Sequence, residues 1–181
     1  GGSPVEIHFE IAAPLIGGAH TINVSAVGLP QITEAVVIDG TTDSDFAGTP
    51  IIELDGATTG GGVDALYLDT GSGGSTVRGL VINRFGRDAI QVWTGASNVT
   101  IVGNYLGTDV TGTTALGTGQ IGIRTSSDGT VIGGPVAADR NVIAANGSFG
   151  IQFANGSSNN VVQGNLIGLG VGGQALGNGT S

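Results

Sequence analysis

The chain has 181 residues, of which 39% are hydrophobic, 10% are charged and 36 are glycine. Its net charge of −9, with five arginines and no lysine, repels a phosphate backbone and excludes nucleic acid as an expected partner. It also offers no basic patch to an anionic membrane surface, and no apolar run reaches transmembrane length. Cysteine is absent, which removes disulfides, thiol catalysis and Cys-zinc sites. Glycine this dense without a Gly-X-Y period is not collagen, and regular Val, Ile and Leu strings argue against disorder. Gly, Thr, Val, Ser and Asn favour strands and turns, so helix content should be near zero. Methionine is absent too, so the chain is expected to be a processed product or a piece of something longer.

The first strand signal is PVEIHFEIA, in which Val5, Ile7, Phe9 and Ile11 alternate with Glu6, His8 and Glu10. It reads as a half-buried strand covering the open top edge of the fold, within an N-terminal capping segment, residues 1–20. TINV, VVIDG and IIELDG follow as less regular strands. Four motifs then line up: ALYL from Ala65, AIQV from Ala89, GIRT from Gly122 and GIQF from Gly150. Each precedes a polar turn and a second strand: TVRGLVI, TIVGNYL, TVIGG and VVQGNLI. GNYLGTDVTGTTALGTG, from Gly103, returns as GNLIGLGVGGQALGNG, from Gly164, and such repeats mark stacked architectures. Alternation turns Leu66, Leu68, Ile90, Val92, Ile123, Ile151 and Phe153 inward, joined by Val77, Ile101, Val131 and Val162. Asn104, Asn141 and Asn165 fall at equivalent corners. Asparagine tolerates a left-handed corner and its amide can bond the amide of the next coil, which predicts a structural asparagine ladder.

These units resemble the parallel β-helix repeat of bacterial surface and secreted proteins: GN-(apolar)-(apolar)-G-T-D, IGG followed by RNVI, and NG-x-x-GI-x-(apolar). The likeness is good over residues 60–181 and weaker over residues 21–58. It implies an all-β, right-handed parallel β-helix, a three-sided solenoid over residues 21–181 with an open-ended last coil. The same helix carries lyases, hydrolases, adhesins and phage tailspikes, so it is poor for function.

Two columns on the outward face of the first strands are candidates for carbohydrate binding: Tyr67, Gln91, Arg124 and Gln152, and beside them Asp69, Trp93, Ser126 and Ala154. Sugar rings stack on aromatics and bond Gln, Arg and Asp groups, which singles out Tyr67, Asp69, Gln91, Trp93, Arg124 and Gln152. Catalysis is poorly supported, and no catalytic residue is assigned. Glycoside hydrolysis needs an acid and a base carboxylate, while both histidines, His8 and His20, lie in the N-terminal segment, away from the regular coils. Asp64 and Asp88 stack in adjacent coils and are positioned to share a proton or a cation, although Arg87 adjoins one of them. No zinc spacing, P-loop or serine triad is present. No cofactor is expected. Calcium is the one ion to consider, at Asp39, Asp43 and Asp45 in one turn-rich loop, or at Asp109 in GTDVTG; solvated loop aspartates are the plainer reading. The expected function is a structural or adhesive module of an extracellular or cell-surface protein, bacterial in type. Its partners would be further coils or its own copies, stacked end to end. The alternative is a carbohydrate-active β-helix that binds or cleaves an extracellular polysaccharide.

Overall fold

Strands here are only two to five residues long, because left-handed glycines repeatedly break the apolar runs. The computed structural model describes residues 3–154 and 156–179. Gly1 and Gly2 of the expected capping segment, and Thr180 and Ser181 of the expected open-ended coil, lie outside the described residues. Among the described residues the protein is all-β, with two single-turn 3-10 segments, Gly40–Thr42 and Ala137–Asp139. No helix there is long and apolar enough to cross a membrane.

The opening strands are β1 (Val5–His8), β2 (His20–Asn23), β3 (Val36–Asp39) and β4 (Ile52–Asp55). Four regular turns of chain follow: β5 (Leu66–Leu68), β6 (Thr76–Arg78) and β7 (Leu80–Asn83); then β8 (Ile90–Val92), β9 (Thr100–Val102) and β10 (Tyr105–Leu106). The last two are β11 (Ile121–Thr125), β12 (Val131–Gly133) and β13 (Val142–Ile143), then β14 (Phe149–Phe153), β15 (Val161–Gln163) and β16 (Leu166–Ile167). The chain visits three parallel sheets in rotation: β1-β3-β6-β9-β12-β15, β2-β4-β7-β10-β13-β16 and β5-β8-β11-β14. This pairing fits a β-solenoid.

Inward columns carry the core. Ile38, Val77, Ile101 and Ile132 stack in register, as do Leu66, Ile90, Ile123 and Ile151. Val131 is not in the core, contrary to expectation. It pairs with Thr100 and Val161, and Ile132 takes the buried place beneath Ile101. TVIGG holds two adjacent apolar residues, so alternation within it is ambiguous and the neighbouring rung decides.

β1 is a further parallel rung on β3, from Val5↔Val36 to His8↔Asp39, and its side chains are exposed. The residues after it do the covering: Phe9 and Ile11 pack on the core. The two copies of the long repeat form loops that lie outside the second sheet, closed by the antiparallel bridges Thr108↔Ala115 and Leu169↔Ala175. Val110 and Leu176 cover Val81, Tyr105, Val142 and Ala144 there, and Val171 N–H bonds Gly112 O at 3.0 Å. The repeat therefore supplies a second, smaller apolar layer on the outside of the stack.

Candidate functional site

The register of β5, β8, β11 and β14 puts Tyr67, Gln91, Arg124 and Gln152 in one column. Asp69, Trp93, Ser126 and Ala154 follow beside it, and the N–H groups of the last three bond the carbonyls of Leu68, Val92 and Thr125 at 2.8–2.9 Å. The rings of Tyr67 and Trp93 stack with centroids 6.1 Å apart and planes 30° apart. Trp93 is 38% exposed, so one aromatic surface is open to a flat ligand. Burial, then the nearby Asp69 and Asp64 carboxylates, push the Tyr67 hydroxyl up from its ordinary value.

The rest of this face is committed to the protein. Gln91 is 0% exposed, and neither its Oε1 nor its Nε2 has a hydrogen-bond partner. Arg124 donates from Nε to Asp88 Oδ2 at 2.6 Å, from Nη1 to Gln152 Oε1 at 2.9 Å and from Nη2 to Gln120 Oε1 at 3.2 Å. Its bond to the buried Asp88 raises the guanidinium further above its ordinary value. Asp88 Oδ1 also accepts the Ile121 N–H at 3.1 Å. Asp64 Oδ1 accepts the Asp88 N–H at 3.0 Å and its Oδ2 lies 3.3 Å from Arg87 Nη1. Burial pushes the Asp64 carboxyl up, with a smaller push from Asp88, against the Asp88 N–H and Arg87. The two stacked carboxylates thus each hold an arginine of their own. Asp69 Oδ1 accepts the Thr70 N–H at 2.7 Å, so its other oxygen is the one left to the outer surface.

The asparagine column is continuous. Asn104 N and Nδ2 both donate to Asn141 Oδ1, at 2.9 and 3.1 Å; Asn141 N and Nδ2 both donate to Asn165 Oδ1, at 3.1 and 2.9 Å. Leu80 N–H donates to Asn104 Oδ1 at 3.0 Å and begins the run. The left-handed residues are Gly103 and Gly164, not the asparagines, which corrects one reason given for Asn at these corners. The side chain is there for its amide. A second ladder was not read from the sequence. Thr118 Oγ1 donates to Asn146 Oδ1 at 2.9 Å, and Asn146 N and Nδ2 both donate to Asn178 Oδ1 at 3.0 Å. Its signal was the Thr-Gly and Asn-Gly pairs at residues 118, 146 and 178.

The four candidate aspartates separate. Asp39 pairs with Arg78 Nη2 at 2.6 Å and accepts the Thr41 hydroxyl and N–H. Asp109 Oδ1 accepts from Thr111 Oγ1 at 2.8 Å, Thr114 N at 3.0 Å and Thr113 N at 3.1 Å, which folds its own loop. Burial opposes its ionisation, but these donors hold its carboxyl below the ordinary range. Asp43 and Asp45 stay together and are joined by His20. His20 begins β2 and stacks on Ile52, so it belongs to the regular pairing and not to a segment away from it. No protein-family model, curated protein or solved structure matches the chain.

Proposed function

We propose that the chain is a right-handed, three-sided parallel β-helix resembling the bacterial parallel β-helix repeat, and that it serves as a structural module of an extracellular or cell-surface protein. It holds a stiff stack, presents loops and accepts a further parallel coil on its last rung. The observation that carries this reading is the character of that rung. Phe149, Phe153, Val161, Val162 and Ile167 are exposed there side by side, while their counterparts one rung earlier include the buried Ile121, Thr125, Ile132 and Ile143. Each ladder asparagine before it donates to an amide oxygen below, so a coil bringing an acceptor against Asn165 would continue the same bonds. An apolar edge of this kind favours strand addition. Sedimentation velocity over a range of concentrations tests it, with electron microscopy of the same samples. End-to-end species that vanish in Val162→Lys support the reading. A monomer at every concentration, with the last rung folded, counts against self-association.

The ring pair supports a second reading, the binding of an extracellular polysaccharide. Tyr67 and Trp93 give a sugar an apolar surface beside the Asp69 carboxylate. Retention on immobilised polysaccharides should be lost in Trp93→Ala and kept in Asp109→Ala. Equal retention of the two variants would remove this reading.

A further inference from the structure

We propose that His20, Asp43 and Asp45 form a site for a divalent transition-metal ion of the zinc type, which clamps the N-terminal end of the stack. His20 Nε2 lies 3.6 Å from Asp43 Oδ1 and 3.5 Å from Asp45 Oδ2, and the three ligand atoms all lie within 4.8 Å of one another. These separations are too long for hydrogen bonds. They approach the donor–donor edge of about 3.3–3.5 Å expected around a tetrahedral ion with bonds of about 2.0–2.1 Å. The His20 side chain is 3% exposed and its Nε2 has no hydrogen-bond partner. A buried ring nitrogen left unpaired is costly, and it points at two carboxylates.

The Asp43 carboxylate is placed by backbone. Asp43 Oδ2 accepts the Ile11 N–H and Asp43 Oδ1 accepts the Asp45 N–H, both at 3.0 Å. Thr42 Oγ1, next in the chain, accepts the Phe9 N–H at 2.8 Å. An ion here therefore joins β2, the loop after β3 and the strap at residues 9–11, and all three belong to the end of the stack. Asp45 is half-exposed, so one side is open for entry and for a water ligand. Two carboxylates and one neutral imidazole match a divalent charge. The nitrogen donor selects zinc-like ions over calcium, which takes oxygen ligands. Asp39, the third member of the calcium reading, is held by Arg78 instead. The ligands come from residues 20, 43 and 45, a spacing outside the local zinc patterns.

The test uses the whole chain, stripped with a chelator and titrated with zinc chloride, then with calcium chloride. Zinc should bind with one ion per chain by calorimetry and raise the melting temperature, because it binds only the folded state. Cobalt(II) should give the visible absorption of a tetrahedral site. Calcium should do neither. His20→Gln and Asp45→Asn should lose the saturable zinc binding, while His8→Ala, which alters the exposed His8–Glu6 pair, should keep it. Asp45→Asn changes a half-exposed side chain and serves if His20→Gln does not fold. Zinc binding unchanged in Asp45→Asn overturns the site, as does no zinc binding by the parent chain. A melting temperature unaffected by zinc would overturn the clamp.

Discussion

Asn141 Oδ1 accepts two hydrogen bonds from Asn104, one from its backbone N–H and one from its side-chain amide. One oxygen thus satisfies two buried donors of the coil above. Asn141→Leu keeps the size of the side chain and strands the Asn104 N–H, while the Asn104 Nδ2 still reaches the Val77 and Val102 carbonyls at 3.0 Å. Each buried donor left unmade costs about 1–3 kcal/mol. Asn165→Leu strands the equivalent N–H of Asn141, which is also fully buried, while Asn141 Nδ2 keeps the Ile101 carbonyl at 2.8 Å. The urea midpoint should therefore fall in both variants. Equal midpoints for Asn141→Leu and the parent would show that the ladder is not a source of stability.

Arg124 and Asp88 form the most buried ion pair of the outer face: the Arg124 side chain is 20% exposed and Asp88 is fully buried. Removing one partner of a buried pair costs about 3–5 kcal/mol, since the other charge stays buried without a counter-charge. Arg124→Ala should fall near the low end of that range. The double variant Arg124→Ala/Asp88→Asn should recover part of the loss, because the neutral amide oxygen that replaces the carboxylate can still accept the Ile121 N–H. A double-mutant cycle with no coupling would show that the pair is solvated.

Two carboxyls should respond to pH with opposite sign. Burial pushes Asp39 up, but the Arg78 guanidinium and the Thr41 hydroxyl and N–H outweigh it and hold the carboxyl below its ordinary 3.8. A depressed carboxyl contributes stability above its unfolded value and loses it as pH falls through the folded value. The penalty of Asp39→Asn should thus be full near neutrality and fade as pH drops below 3.8. Asp64 is raised above 3.8 by burial, so its contribution is present below 3.8 and is lost as pH climbs through the folded value. Asp64→Asn should gain on the parent as pH rises. Urea midpoints measured across the acid range check both signs, and parallel pH profiles for the two variants would contradict them.

Gly107, in the first copy of the long repeat, has φ +93, and a Cβ there would meet the Ala144 carbonyl oxygen and the Asn146 side-chain oxygen. Gly107→Ala should cost about 1–3 kcal/mol from the backbone strain and crowd the second ladder as well. Gly173→Ala has a similar φ of +79 but open space around it, and should cost less. The melting temperatures of the two variants, compared with the parent, separate strain from crowding.

The stacking itself was legible in the sequence. Period-two alternation is local, so ALYL, AIQV, GIRT and GIQF aligned to the register that pairs Tyr67 with Gln91, Gln91 with Arg124 and Arg124 with Gln152. The Asn104, Asn141 and Asn165 column was legible for the same reason, because two of the three follow a glycine at a repeated corner. What each side chain does once stacked was decided only by the tertiary structure. Gln91 is sealed in without a hydrogen-bond partner and Arg124 is spent on Asp88, because the groups that meet across adjacent rungs are set by how the coils stack. Val131 yields to Ile132 because the rung above chooses between two adjacent apolar residues. His20 meets Asp43 and Asp45, and Asp39 leaves them for Arg78, because partners 23 to 39 residues apart are set by coil length and insertions. Alternation names the face a residue occupies; only the stacked coils determine who is beside it.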